Sequence, residues 1–148
     1  MKKSMKNSEA REFLQIVKDK FSIELSRKDR YETDDKLVLI NGQPMFFYYE
    51  KEIIPTLKFL LQHDALKKIT VDMGAVKFIV KGADIMRPGI TKIDENIQKN
   101  EIIVVVDETH NKPLAVGRVL FNSEELNSMN SGNVIKNIHY VGDETWKR

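Results

Sequence analysis

Apolar positions in this chain recur at two spacings that alternate along its length. In the first third, Phe13, Leu14, Val17 and Phe21 fall on one face at helical spacing, and Ser8 sits where a cap belongs. Phe21, Ile23 and Leu25 then alternate like a strand, and Ser26 to Asp35 is charged and turn-like. Leu37 to Ile40 and Met45 to Tyr49 are apolar strand segments around Asn41-Gly42, a dipeptide suited to a tight turn because both central residues need positive φ. Thr56 to Gln62 reads as a compact helix with Leu57, Leu60 and Leu61 inward and Pro55 at its start.

The pattern changes after about residue 68. Val71 to Ile90 compresses a strand end, a two-turn helix and an edge strand into a short stretch. Asp72 is placed to cap the helix and Gly82 to stop it, with Ala75, Val76, Ile79 and Val80 as its apolar stripe. Gly74, Lys77 and Lys81 share another face. Pro88 cannot donate to a sheet, so the strand there lies at an edge or breaks. Glu101 to Val106 is a β-branched run typical of a strand buried on both faces. Asp107 to Pro113 is a polar loop, and Leu114 to Phe121 returns with Gly117 as a bulge or corner. Asn122 or Ser123 opens a short helix in a capping-box pattern with Glu125, and Gly132 ends it. Val134 to Val141 is a strand, Gly142-Asp143 a turn, and Thr145 to Lys147 a closing strand. The fold class expected is α+β: an N-terminal α/β lobe over 1–68 and a mixed β pseudo-barrel with short helices over 69–148.

Composition narrows the function. The 148 residues are 31% charged and 41% hydrophobic, as in an ordinary globular protein, and include no cysteine. Disulfides and cysteine-ligated zinc are therefore excluded, and no apolar run is long enough for a membrane helix. A cytoplasmic location without membrane association is the expectation. The net charge of +2 is uneven: residues 1–68 hold 14 basic and 11 acidic side chains, residues 69–148 hold 10 and 11. Between Lys67 and Lys92, six basic residues face only Asp72 and Asp84. That strip suits a short phosphate contact, although on the residues alone a solvated lysine face is the simpler reading.

Chemistry-bearing patterns are sparse. The chain has no Gly-x-Ser-x-Gly elbow, no phosphate-binding loop of the Gly-Lys-Ser/Thr type and no His-Glu-x-x-His. His63, His110 and His139 lack metal-ligand spacing, so no metal or other cofactor is expected. Asp107-Glu108 reads more simply as a loop than as a catalytic pair. Phe46, Phe47, Tyr48 and Tyr49 alternate faces in a strand, either as core or with an exposed tyrosine pair at a contact surface. Trp146 either closes the barrel or stacks a base.

Asp72-x-Gly74-Ala75, Gly82-Ala83 and Met86-x-Pro88-Gly89-Ile90 together resemble the signature of the PUA domain, an RNA-binding module. Asn137-Ile138-His139-Tyr140 before Gly142-Asp143 and Trp146, with Pro55-Thr56-Leu57 and Asn41-Gly42 before Phe46-Phe47, is similar to the malignant-T-cell-amplified-sequence branch, which also resembles part of ligatin. The resemblance implies a PUA-type barrel and a non-enzymatic translation factor, of the compact archaeal form. It implies action at the small ribosomal subunit and a tRNA acceptor end, in initiation or recycling, with tRNA or rRNA as ligand and a density-regulated-type protein as a possible partner. An accessory subunit that delivers tRNA or rRNA to a modification enzyme is the alternative. The implied RNA-binding residues are Gly74, Lys77, Lys81, Gly82, Met86, Arg87, Pro88, Gly89 and His139.

Overall fold

The structure is a computed structural model describing all residues 1–148, and the chain divides into two compact units, Met1–Ala65 and Leu66–Lys147.

The first unit is a five-stranded antiparallel sheet in sequential order, β1 (Lys2–Ser4), β2 (Tyr31–Asp34), β3 (Leu37–Ile40), β4 (Gln43–Tyr49) and β5 (Glu52–Pro55), with helix α1 (Asn7–Phe21) and the short α2 (Leu57–Leu60). Its core gathers Phe13 and Val17 of α1 against Tyr31, Val38, Phe46, Ile53 and Phe59. Phe46 is the centre: its ring lies 5.3 Å from Phe13, edge to face, and 4.6 Å from Phe59. Such ring pairs add to the energy of area burial because the positive edge of one ring meets the negative face of the other.

Asn41-Gly42 forms the expected tight turn, with φ of +52° and +84° and Ile40 paired to Gln43. The Asn41 carboxamide oxygen also accepts from the Arg30 N–H at 2.8 Å. Other expectations shift. Helix α1 is capped at Lys6 and not at Ser8, because the Glu9 carboxylate accepts from the Lys6 N–H at 3.0 Å and draws the start forward. The alternation at Phe21 to Leu25 forms no strand; Ile23 and Leu25 simply pack on the core from the loop after Ser22. Strand β2 instead lies within the charged segment expected to be a turn, and β1 and β5 carried too little alternation to stand out. In α2, Leu61 points outward at 56% exposure, and Phe59 takes the inward place assigned to it. Of the aromatic run, Phe46 and Phe47 are buried and Tyr48 is exposed.

The second unit is a six-stranded mixed sheet. It comprises β6 (Lys68–Val71), β7 (Ile85–Met86), β8 (Ile90–Ile93), β9 (Ile102–Asp107), β10 (Pro113–Val119) and β11 (Asn133–Tyr140), in the order β7-β11-β10-β9-β6-β8. Only β6 and β9 are parallel. The sheet curls into a half-barrel, as the expected pseudo-barrel requires. Every residue of β9 is buried, as its continuous apolar run predicts for a central strand. Gly117 marks a register shift between β10 and β11, where a Cβ would meet Ile135 Cγ2 at 2.5 Å and the Lys136 carbonyl at 2.7 Å. Pro88 breaks the chain as expected: β7 ends one edge of the sheet, a 3-10 turn follows at Arg87–Gly89, and β8 resumes at the other edge. Helices α3 (Met73–Ile79) and α4 (Ser123–Ser128) cover the core, and α4 starts at Asn122 with the expected capping box. Thr145 to Lys147 is helical and not a strand, because the Asp143 carboxylate accepts from the Trp146 N–H at 2.9 Å and starts α5 (Glu144–Lys147).

Replacing Phe46 with alanine should remove about 3–5 kcal/mol of stability from the N-terminal unit, as large buried aromatics do. Urea unfolding followed by a probe in that unit checks this, and a loss below about 1 kcal/mol would show that the core closes around the gap.

Candidate nucleic-acid interface

Helix α3 begins where β6 delivers Asp72, whose Oδ1 accepts from the Ala75 N–H at 2.9 Å. Its inward stripe packs as predicted: Ile79 is buried, and Ala75, Val76 and Val80 lie against the core. The outward face therefore carries Gly74 and Lys77, and Lys81 follows just past the end of the helix, all three exposed. Neither lysine has an ion-pair partner, although Lys77 Nζ lies 5.2 Å from the Phe78 ring centroid. The same face also holds side chains absent from the sequence-derived set. Phe78 is 57% exposed and Met73 45% exposed. Their signal was available: the helical wheel puts Phe78 beside Gly74, opposite the buried stripe. Met86, 52% exposed, projects from the edge strand β7. A ring, a thioether and a cation thus lie exposed on the short helix α3 with a glycine that adds no bulk, Lys81 follows just past its end, and a second thioether is exposed on the edge strand β7.

The platform is held from behind by Asn137. Its amide nitrogen donates to the Ile79 carbonyl at 3.1 Å and to the Ala83 carbonyl at 2.9 Å, tying the end of α3 to β11. The Asn137 N–H donates to Asp84 Oδ1 at 2.9 Å, and the Asn133 amide donates to Asp84 Oδ2 at 3.0 Å. Burial pushes the Asp84 carboxyl up, but these donors and the Lys136 charge outweigh it and hold the group below the usual carboxylate range. Gly82, with φ of +97°, lies so close to β11 that a Cβ would stand 3.1 Å from the Tyr140 ring. Its role is thus conformational and steric within the protein. Gly89 is likewise pressed against Ala75, whose Cβ would stand 3.2 Å from any Cβ at this position, and its carbonyl accepts from the Asp72 N–H at 2.8 Å. Gly74 meets only its neighbour Asp72 at 3.4 Å, so nothing inside the protein demands glycine there.

Two side chains proposed from sequence are used elsewhere. The Arg87 guanidinium donates from Nε to the Leu126 carbonyl at 2.7 Å and from Nη1 to the Ile90 carbonyl at 3.2 Å. It braces the turn that carries the exposed Pro88. His139 is 1% exposed, with Nδ1 2.8 Å from Asp143 Oδ2, so its ring belongs to the interior and does not face a ligand. Asp143 also accepts from the Tyr140 N–H, and the His139, Trp146 and Tyr140 bonds outweigh the upward push of burial and lower its pKa. Asp107 is spent on its own loop, accepting from the N–H groups of His110 and Lys112. No group of three or more histidine or acidic side chains is arranged to hold a metal, and no helix is long and apolar enough to cross a membrane.

Comparison with known proteins places this geometry. The sequence description of the PUA domain matches residues 67–141, and that of a domain of unknown function matches residues 2–63. The chain belongs to the PUA-domain family. Within it, the chain is 32% identical to translation machinery-associated protein 20 of Schizosaccharomyces pombe, covering 90% of this chain and 78% of the relative. It is 33% identical to malignant T-cell-amplified sequence 1 of Rattus norvegicus, over 75% of this chain and 64% of that one. An uncharacterized protein of Methanocaldococcus jannaschii is 41% identical over 89% of this chain and 80% of its own. Among solved structures, a hypothetical protein from Pyrococcus horikoshii matches with a TM-score of 0.84 and 29% identity, covering 99% of this chain and 98% of that chain. The PUA unit described above is therefore the family's fold, and the first unit is shared with relatives along nearly the whole chain.

The Asp84 linkage is testable. A carboxyl with a lowered folded pKa contributes stability above its unfolded pKa, and that contribution is lost as pH falls through the lower folded value. Asp84→Asn should therefore be less stable than the parent at neutral pH, and the gap should close in acid. Melting temperatures across the acid range measure this; a gap that stays constant into strong acid would contradict the role given to Asp84.

Proposed function

We propose that this chain is a non-enzymatic RNA-binding factor of the translation machinery, and that its PUA unit holds a single-stranded RNA end across α3 and the edge strand β7. The observation that carries the reading is the exposed Phe78 ring on α3, with Lys77 Nζ 5.2 Å from its centroid and Met73, Lys81 and Met86 also exposed. Single-stranded RNA offers unstacked bases and a phosphate backbone, and it is recognised by stacking on side chains together with cationic contacts. Lys77 and Lys81 would neutralise phosphates, Phe78 would meet a base, and Gly74 would let the backbone come close. Gly82, Gly89, Pro88 and Arg87 shape the platform from beneath and from the side. The names of the relatives support a translation role, and the implied setting is the small ribosomal subunit with a tRNA acceptor end. A density-regulated-type protein is the partner that this setting suggests.

Delivery of tRNA or rRNA to a separate modification enzyme would use the same surface. Affinity purification from cells separates the two readings. Co-purifying small ribosomal subunits supports the translation role, and a co-purifying RNA-modifying enzyme in their place supports delivery.

The surface itself is tested by reversing two charges. Lys77→Glu with Lys81→Glu should weaken binding of single-stranded RNA at low salt and flatten its salt dependence, because fewer counterions are released. Phe78→Ala should weaken binding with little change in salt dependence. Neither should lower the melting temperature appreciably, since exposed side chains contribute little to folding. Equal affinity in parent and double variant would remove this surface from the account.

A further inference from the structure

The N-terminal unit contains a cleft of about 230 Å³ that no feature of the PUA unit explains. It opens between the face of α1 that carries Arg11 and Leu14 and the segment that leads into β2, where Arg27, Asp29 and Tyr31 lie. Met5, Leu14 and Tyr31 form its apolar lining, and Tyr31 closes it as a buried side chain. The Tyr31 hydroxyl donates to the Ser26 carbonyl at 2.6 Å, which fixes the ring. Burial, with the Asp29 charge behind it, pushes that hydroxyl up to about 12, so it stays a protonated donor.

The rim has a particular charge pattern. The guanidinium groups of Arg11 and Arg27 are exposed and form no ion pair or hydrogen bond within the protein. Elsewhere in this unit Arg30 is engaged by Glu32, and Lys18 and Lys20 by Glu24 and Glu52. Two planar guanidiniums at one cleft are suited to the oxygens of a phosphate, which they meet with paired N–H donors. Asp29 sits on the same rim. One of its oxygens accepts from the Asn41 amide at 3.0 Å, which leaves the other able to accept from a ligand. A carboxylate beside two guanidiniums repels an all-acidic segment. It suits a ligand that joins an anion to hydroxyl or amino donors, with a flat apolar body between them. A nucleotide has that chemistry: phosphate, ribose hydroxyls and a base. The cleft is smaller than the roughly 300–1,000 Å³ usual for drug-sized ligands, so it fits a single nucleotide.

We propose that the cleft between α1 and the start of β2 is a nucleotide-binding site, with Arg11 and Arg27 on the phosphate, the apolar lining against the base and Asp29 accepting from a ligand donor. The nucleotide is either free or one member of an RNA strand, and the site is independent of the platform on the PUA unit.

The test uses the full chain carrying Lys77→Glu and Lys81→Glu, so that the PUA surface does not contribute. Isotope-labelled protein is titrated with 5′-AMP, with adenosine and with pentaadenylate, following the amides of Ala10, Leu14 and Arg27. Saturable shifts at these amides with AMP, and much weaker ones with adenosine, are expected. Adding Arg11→Ala and Arg27→Ala should reduce AMP affinity by about tenfold or more, since hydrogen bonds to charged groups are the stronger kind. Tighter binding of pentaadenylate than of AMP assigns the site to an RNA strand; equal binding assigns it to a free nucleotide. The proposal is overturned if neither AMP nor pentaadenylate shifts these amides, if adenosine binds as well as AMP, or if the arginine variant binds AMP unchanged at an unchanged melting temperature. Any of these results leaves RNA binding by the parent protein, and thus the reading of the PUA surface, untouched.

Discussion

The side chain of Asn137 is the constraint on which the PUA surface depends. The carbonyl of Ile79, the last residue of α3, and that of Ala83, just past the helix, both accept from one amide group of β11, Ile79 in addition to the bond it accepts from the Gly82 N–H. Through that junction the orientation of a short helix is set by a sheet strand. The Asn137 backbone in turn is fixed by Asp84, which lies in the loop that Gly82 makes possible. Helix, glycine loop and strand therefore hold one another, and the lysines and the phenylalanine on the outer face inherit their positions from this arrangement. The Asn137 carboxamide oxygen is buried with no hydrogen-bond partner, a cost that the two donated bonds offset.

The division of labour among the glycines follows from the same packing. Gly82 and Gly89 are enforced by contacts with Tyr140 and Ala75, whereas Gly74 is not enforced by anything inside the protein. A residue type that looks uniform along the motif thus serves two purposes. Two glycines let protein segments approach each other, and one keeps the outer face low. Arg87 and His139 follow a similar logic. Both sit beside the platform in sequence, yet their polar atoms are occupied by the Leu126 and Ile90 carbonyls and by Asp143.

Where a single strong local rule operated, the sequence was legible. Asp72 and Asn122 cap their helices, Asn41-Gly42 turns its hairpin, Gly117 marks its bulge, and the β-branched run at Ile102 to Val106 is the buried central strand. Legibility failed where tertiary contacts outvoted the local pattern. The segment Ile23 to Leu25 alternates but finds no neighbouring strand, while Tyr31 to Asp34, with little apolar content, pairs on both sides. Thr145 to Lys147 became helical because the Asp143 carboxylate captures the Trp146 N–H and the Asp143 carbonyl accepts from the Lys147 N–H. In the candidate site, Lys77 and Lys81 could be placed from spacing, whereas Met86 came only with the resemblance to the PUA signature. Phe78 was missed because an aromatic residue in a short helix is ordinarily core, and only the position of the buried stripe turns it outward.

The claim at the centre of this account is that the outer face of α3 and the edge strand β7 form the surface to which RNA binds. Amide-shift mapping of the full chain with a short single-stranded RNA bearing a free 3′ end tests it most directly. The account predicts that, within residues 66–147, the largest shifts fall between Met73 and Lys81 and at Ile85 and Met86. Shifts concentrated instead on the loop between β9 and β10, with α3 undisturbed, would contradict it.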